Sequence, residues 1–116
     1  MPGMEATGHI LVANESASYR ESIAAVFRIS LPGLEVFEAD SGDLNREVVR
    51  LRPDFVICSR VTPVVEERVP NWVELYPECD PFSTFCVGGE RYTKRRVDLS
   101  DLLVVVTRTR PASHVV

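Results

Sequence analysis

The chain lacks a long apolar run, a cysteine pairing pattern and an excess of positive charge. Each absence removes a class of function. No stretch approaches the ~20 apolar residues that a membrane-crossing helix needs, so no membrane partner is expected. Residues 1–8 do not form the basic, apolar, small-residue series of a secretory leader. They read as a short flexible arm over 1–7, and the expected location is the cytoplasm. Cys58, Cys79 and Cys86 are odd in number, with no CxxC pair and no HxxxH. That pattern argues against a disulfide framework and a structural zinc site. Cys58 and Cys86 fall in predicted strands and read as buried, inert thiols, whereas Cys79 lies in a polar loop. Net charge is −4, so nucleic acid is not an expected partner. The one basic cluster, Lys94-Arg95-Arg96 with Arg91 nearby, reads as solvated surface. His9 and His114 have no Ser or Cys partner set by spacing. No catalytic set emerges, so the chain reads as a non-enzyme without a cofactor.

What is present suits a small globular domain. The 116 residues suffice for one core and are too few for two. The sharpest signal is Arg52-Pro53-Asp54-Phe55-Val56-Ile57-Cys58-Ser59-Arg60. Its apolar run, bounded by Pro53 and by Ser59-Arg60, reads as a strand buried on both faces. Ligands in folds built on such strands sit beyond the strands' carboxyl ends, which makes Ser59 the first residue to question.

Earlier in the chain, Ile10-Leu11-Val12-Ala13 predicts a strand ended by Asn14-Glu15-Ser16. Ser16 or Ser18 can cap the next helix, and Ser18 with Glu21 has capping-box spacing. Ile23, Val26, Phe27 and Ser30 form one helical face, with Tyr19 a turn earlier and Arg20, Glu21 and Arg28 opposite. Leu31-Pro32-Gly33 breaks the helix. The alternating segment 34–39 predicts a strand near the sheet edge. Leu44, Val48 and Leu51 predict a second helix closed by Pro53. Beyond Arg60 the pattern weakens to an irregular connection, with Asn71 as a possible cap for a short helix over Trp72, Val73, Leu75 and Tyr76. Trp72 and Tyr76 are expected to pack on the sheet or to form an exposed hot spot. Phe82 to Val87 predicts a strand ended by Gly88-Gly89, and Tyr92 to Arg95 another. Asp98 or Ser100 could cap a last helix through Leu99, Leu102, Leu103 and Val106, although Val104-Val105-Val106 keeps a strand open. Residues 109–116 read as a flexible tail. Strands alternating with helices at short connections imply βαβ units and a parallel sheet covered on both faces.

Three segments together resemble the receiver domain of two-component response regulators. Ile10-Leu11-Val12-Ala13-Asn14-Glu15 is similar to the first strand and the acidic pair that follows it. Leu31-Pro32-Gly33-Leu34-Glu35-Val36 is similar to the first helix-to-strand turn. Leu51 to Ser59 is similar to the third strand, whose last residue is normally the phosphate-accepting Asp. A looser match runs from Tyr92 to Leu103, where the family has a switch aromatic, a Lys three residues later and the final helix. The resemblance implies a doubly wound, flavodoxin-like α/β fold over 8–108, with a truncated or missing fourth helix. It also implies a degenerate phosphoacceptor pocket of Asn14, Glu15, Ser59, Gly88 and Arg95, with Tyr92 as the switch aromatic.

The chain departs from that family where chemistry is done. Mg²⁺ prefers carboxylate oxygens, yet Asn14 is an amide and Glu15 alone is charged. Ser59 cannot form the acyl phosphate that an Asp forms. The expected function is therefore a stand-alone signalling domain that contacts another signalling protein without Asp phosphorylation. The alternatives are a small-ligand or anion sensor using the strand-end crevice, with Gly88-Gly89 N–H groups and Arg95 as donors, and an enzyme of another flavodoxin-like family.

Overall fold

The computed structural model describes residues 8–75 and 81–109. The expected arm over 1–7, the tail beyond Thr109, and Tyr76 and Cys79 lie outside the described residues. Among the described residues, six strands and four α-helices follow one another: β1 (Gly8–Ala13), α1 (Ala17–Ser30), β2 (Leu34–Glu38), α2 (Leu44–Leu51), β3 (Phe55–Cys58), α3 (Pro63–Arg68), β4 (Asn71–Glu74), β5 (Phe82–Val87), β6 (Glu90–Arg95) and α4 (Leu99–Thr109). They form one sheet in the order β2-β1-β3-β4-β5-β6.

The α/β class expected from the sequence holds, but the sheet is mixed and not parallel throughout. Strands β2, β1, β3 and β4 are parallel. Strand β5 runs antiparallel to β4, and β6 antiparallel to β5. The second reversal has a local cause. Gly88 and Gly89 take positive φ values of 60° and 90°, the conformation of a two-residue hairpin turn whose twist matches the flanking strands. The hairpin also leaves no room for a helix between β5 and β6.

Two apolar layers cover the sheet. On one face Ile10, Val12, Phe55, Ile57, Val73 and Phe85 pack against Ile23, Ala24 and Phe27 of α1 and Leu102, Val105 and Val106 of α4. On the other, Leu11, Ala13, Val56, Cys58, Trp72 and Cys86 pack against Leu44 and Val48 of α2 and Val65 of α3. All four residues of β3 are buried, as the unbroken run Phe55 to Cys58 requires of a strand covered on both sides.

Two local expectations are corrected, and choices left open are resolved. Residues 71–74 are a strand, not a helix, and of the two expectations for Trp72 the packed one holds, since it is buried. The four-residue strand is covered on both faces, so Trp72 and Val73 point into different layers and leave no alternating pattern. Helix α1 is capped by Ser16, whose Oγ accepts the Tyr19 N–H. The helix thus begins before Ser18, no Ser18–Glu21 capping box is made, and Tyr19 is turned toward solvent. The segment left open near the C-terminus is helical: the Asp98 carboxylate accepts the Asp101 N–H at 2.9 Å, and the Asp101 carboxylate accepts the Asp98 N–H at 3.0 Å. This reciprocal cap satisfies helix donors that have no intrahelical partner, and it outweighs the β propensity of Val104-Val105-Val106. No helix among the described residues is long and apolar enough to cross a membrane.

Candidate functional site

Ala13 and Cys58 are register partners at the ends of β1 and β3. The chain therefore leaves both strands at one edge, and Asn14-Glu15 meets Ser59 there. The order β2-β1-β3 makes this the point where connections diverge to opposite sides of β1, the usual ligand position in open α/β sheets. The Ser59 Oγ accepts the Glu15 N–H at 2.9 Å. A crevice of about 200 Å³ opens beside them, lined by Ala13, Glu15, Ser41, Leu44, Ser59, Arg60 and Thr62.

Its walls are fixed from behind. Arg20 folds back from α1, so that Nη1 donates to the Asn14 carbonyl at 2.9 Å and stands 3.5 Å from the Asp40 carboxylate. Thr62 caps α3 by accepting the Val65 N–H, and its hydroxyl donates to Asn45 Oδ1 at 2.6 Å. Glu74 accepts the Val61 N–H at 2.9 Å, which holds the loop after Ser59. The Asn14 side chain is 1 % exposed, and neither its Oδ1 nor its Nδ2 has a hydrogen-bond partner. Alternation along β1 puts it on the side of Ile10 and Val12, away from the crevice-lining Ala13 and Glu15.

The expected pocket is thus only partly assembled. Glu15 and Ser59 are brought together, whereas the side chain of Asn14 is buried away from the crevice. Gly88 is not near it: Asn71 pairs with Phe55 on one side and Val87 on the other, so Gly88 lies at the opposite edge of the sheet. There its N–H donates to Asn71 Oδ1 at 2.9 Å. Arg95 pairs with Phe82 and so reaches the Ser59 edge, but three strands away from β3, or about 14 Å at ~4.8 Å per strand. Its guanidinium lies over the Phe82 ring at 5.9 Å. Tyr92 stacks on Phe85 with ring centroids 5.0 Å apart. It faces a separate cavity of about 200 Å³ with Val87, Glu90, Val105 and Arg108. Ser41 and Thr62, to which no site role is expected from the sequence, line the crevice instead of Gly88 and Arg95. The signal that could have prevented the misplacement was Gly88-Gly89 between two strand-like runs, which is a hairpin signature before it is an anion nest.

The crevice holds one carboxylate, Glu15, beside the guanidinium of Arg60 and three hydroxyls. Among the described residues, no group of three or more His, Cys, Asp or Glu side chains is arranged to hold a metal ion. Cys58 stands beneath Ser59 and has no acid–base use at neutral pH. Burial, and then the negative charge of Glu74, push its thiol up to about 12. Its S–H faces the Val73 carbonyl at 3.8 Å.

These features define an α/β protein with a small polar crevice at the sheet's switch point. Comparison with protein-family models, curated proteins and solved structures gives no match.

Proposed function

We propose that this chain is a receiver-like interaction domain that acts by contact with another signalling protein and not by phosphoryl transfer. On this reading β2-β1-β3-β4 with α1, α2 and α3 is a doubly wound unit of the flavodoxin-like kind, and the antiparallel hairpin and α4 stand in for its last part. One observation carries the reading. The group at the tip of β3 is the Ser59 hydroxyl, already accepting the Glu15 N–H, beside a single carboxylate. A hydroxyl cannot form an acyl phosphate, and without an adjacent base it is a weak nucleophile. Incubation with acetyl phosphate and Mg²⁺, followed by intact mass measurement, should leave the mass unchanged. A stable, acid-labile phosphoryl adduct would overturn the proposal.

A second reading is favoured by the open volume of the crevice. The hydroxyls of Ser41 and Ser59 and the guanidinium of Arg60 suit a small oxyanion, because charge-assisted hydrogen bonds to such groups are strong; the Thr62 proton is already given to Asn45. A thermal-shift series with phosphate, sulfate and nucleotides should then raise the melting temperature of the wild-type chain and not that of Arg60→Gln. Equal behaviour of the two chains removes this reading.

A further inference from the structure

We propose that the outer edge of β6 receives an acidic, extended segment of a partner protein as a seventh strand. The inference rests on the interaction reading above and gives it a surface and a chemistry.

Strand β6 closes one side of the sheet, and all six of its residues are exposed. Among the described residues, no strand pairs with its outer edge. Strand β2, at the other side of the sheet, is guarded. Arg28 Nη2 donates to the Val36 carbonyl at 2.8 Å, and its Nη1 pairs with Glu38 at 2.9 Å. No described side chain closes the backbone of β6 in that way. An exposed strand edge is a template for pairing with another chain.

The register identifies the groups on offer. In a two-residue hairpin the flanking pair, here Val87 and Glu90, exchanges both backbone hydrogen bonds. Glu90, Tyr92 and Lys94 therefore turn their backbone groups toward β5, and Arg91, Thr93 and Arg95 turn theirs outward.

Charge selects the occupant. Residues 90–96 hold Arg91, Lys94, Arg95 and Arg96 against Glu90, in a chain of net charge −4; Arg91 and Lys94 also pair with Glu66 and Asp101, so Arg95 and Arg96 set the sign of this edge. A second copy would set basic residues against basic residues across the new ladder, which is destabilising. Single-stranded nucleic acid would need open aromatic platforms, but Phe82 lies under Arg95, and one face of Tyr92 is taken by Phe85. An extended peptide with acidic residues meets both requirements, backbone pairing and opposite charge.

The test is an amide-resolved NMR titration of the full chain with a synthetic peptide alternating Glu or Asp with Val or Thr. Shifts should concentrate on residues 90–96 and on β5. Thr93→Pro removes an outward N–H while leaving the β5 ladder intact, as proline on an edge strand allows. It should weaken binding by about tenfold or more, and so should the double variant R95E/R96E. Thr93→Ala, which keeps the N–H, should bind like the wild type. No shift at millimolar peptide, shifts centred on the Ser59 crevice, undiminished binding by Thr93→Pro, or tighter binding of a single-stranded oligonucleotide to the same amides would each overturn the proposal. A phosphoryl adduct in the acetyl phosphate experiment would instead remove the interaction reading and leave these titration results standing.

Discussion

The hydroxyl oxygen of Ser59 accepts the backbone N–H of Glu15 at 2.9 Å, tying the tip of β3 to the loop that leaves β1. The bond lies at the surface, so its net worth is at the low end of the range, about 0.5–1 kcal/mol. Ser59→Ala should lower the melting temperature by a few degrees. It should also speed hydrogen exchange at the Glu15 amide, which loses its acceptor. Unchanged exchange at Glu15 would show that the hydroxyl does not hold that loop.

Trp72 is buried between β4 and α3, with the Arg91 guanidinium over its ring at 5.2 Å and Glu66 of α3 holding that guanidinium at 3.0 Å. The two layers of this arrangement differ in weight. Trp72→Ala should cost about 3–5 kcal/mol through the cavity it leaves. Arg91→Ala should cost no more than about 1 kcal/mol, because its contacts are partly exposed. Chemical denaturation of both variants checks the ratio; comparable losses would mean that Arg91 is part of the core.

An added Cβ at Gly89 would meet nothing within 4 Å, yet its φ is +90°. Any cost of substitution there comes from the backbone alone. Gly89→Val should destabilise by about 1–2 kcal/mol, whereas Gly88→Asn, at φ +60°, should be nearly neutral because Asn tolerates the left-handed region. Equal stability of Gly89→Val and wild type in urea would remove the hairpin explanation for the antiparallel pairing of β5 and β6.

The Asp98 carboxyl is held below its ordinary 3.8, first by the Asp101 N–H and then by the Ser100 hydroxyl. A lowered folded value means that ionised Asp98 supports the fold above the ordinary value, and that this support drains away as pH falls through the lower one. As pH falls from about 5 to below the ordinary 3.8, the wild-type chain should lose more stability than Asp98→Asn. The Asn variant keeps a capping oxygen without the charge. Parallel melting curves for the two chains across that window would contradict the assignment.

Much of this fold could be read from local pattern. Phe55 to Cys58 announced a strand buried on both sides, Leu44, Val48 and Leu51 a helix stripe, and Leu31-Pro32-Gly33 the break after α1. Each signal is contained within its own element. What escaped depends on partners distant in sequence. The strand Asn71–Glu74 is four residues long with both faces covered, so neither period emerges, and Trp72, Val73 and Leu75 imitate a helix. Strand direction is not encoded in the apolar pattern. For β6 it is encoded in Gly88-Gly89, whose N–H groups suggest ligand donors but whose conformation serves a turn. Reading the pair as ligand donors puts Gly88 at the wrong edge of the sheet. The meeting of Glu15 and Ser59 is legible because β1 and β3 are adjacent and parallel; the placement of Arg95 is not, because two strand reversals set its distance.

A single carboxamide spans the seam between the parallel and antiparallel halves. Asn71 Nδ2 donates to the Asp54 carbonyl at 3.2 Å while its Oδ1 takes the Gly88 N–H at 2.9 Å. The hairpin is thereby riveted to the root of the central strand. A tug on the turn has a direct mechanical route into the middle of the molecule, and severing that rivet should let the hairpin fray on its own while the remaining strands keep their register.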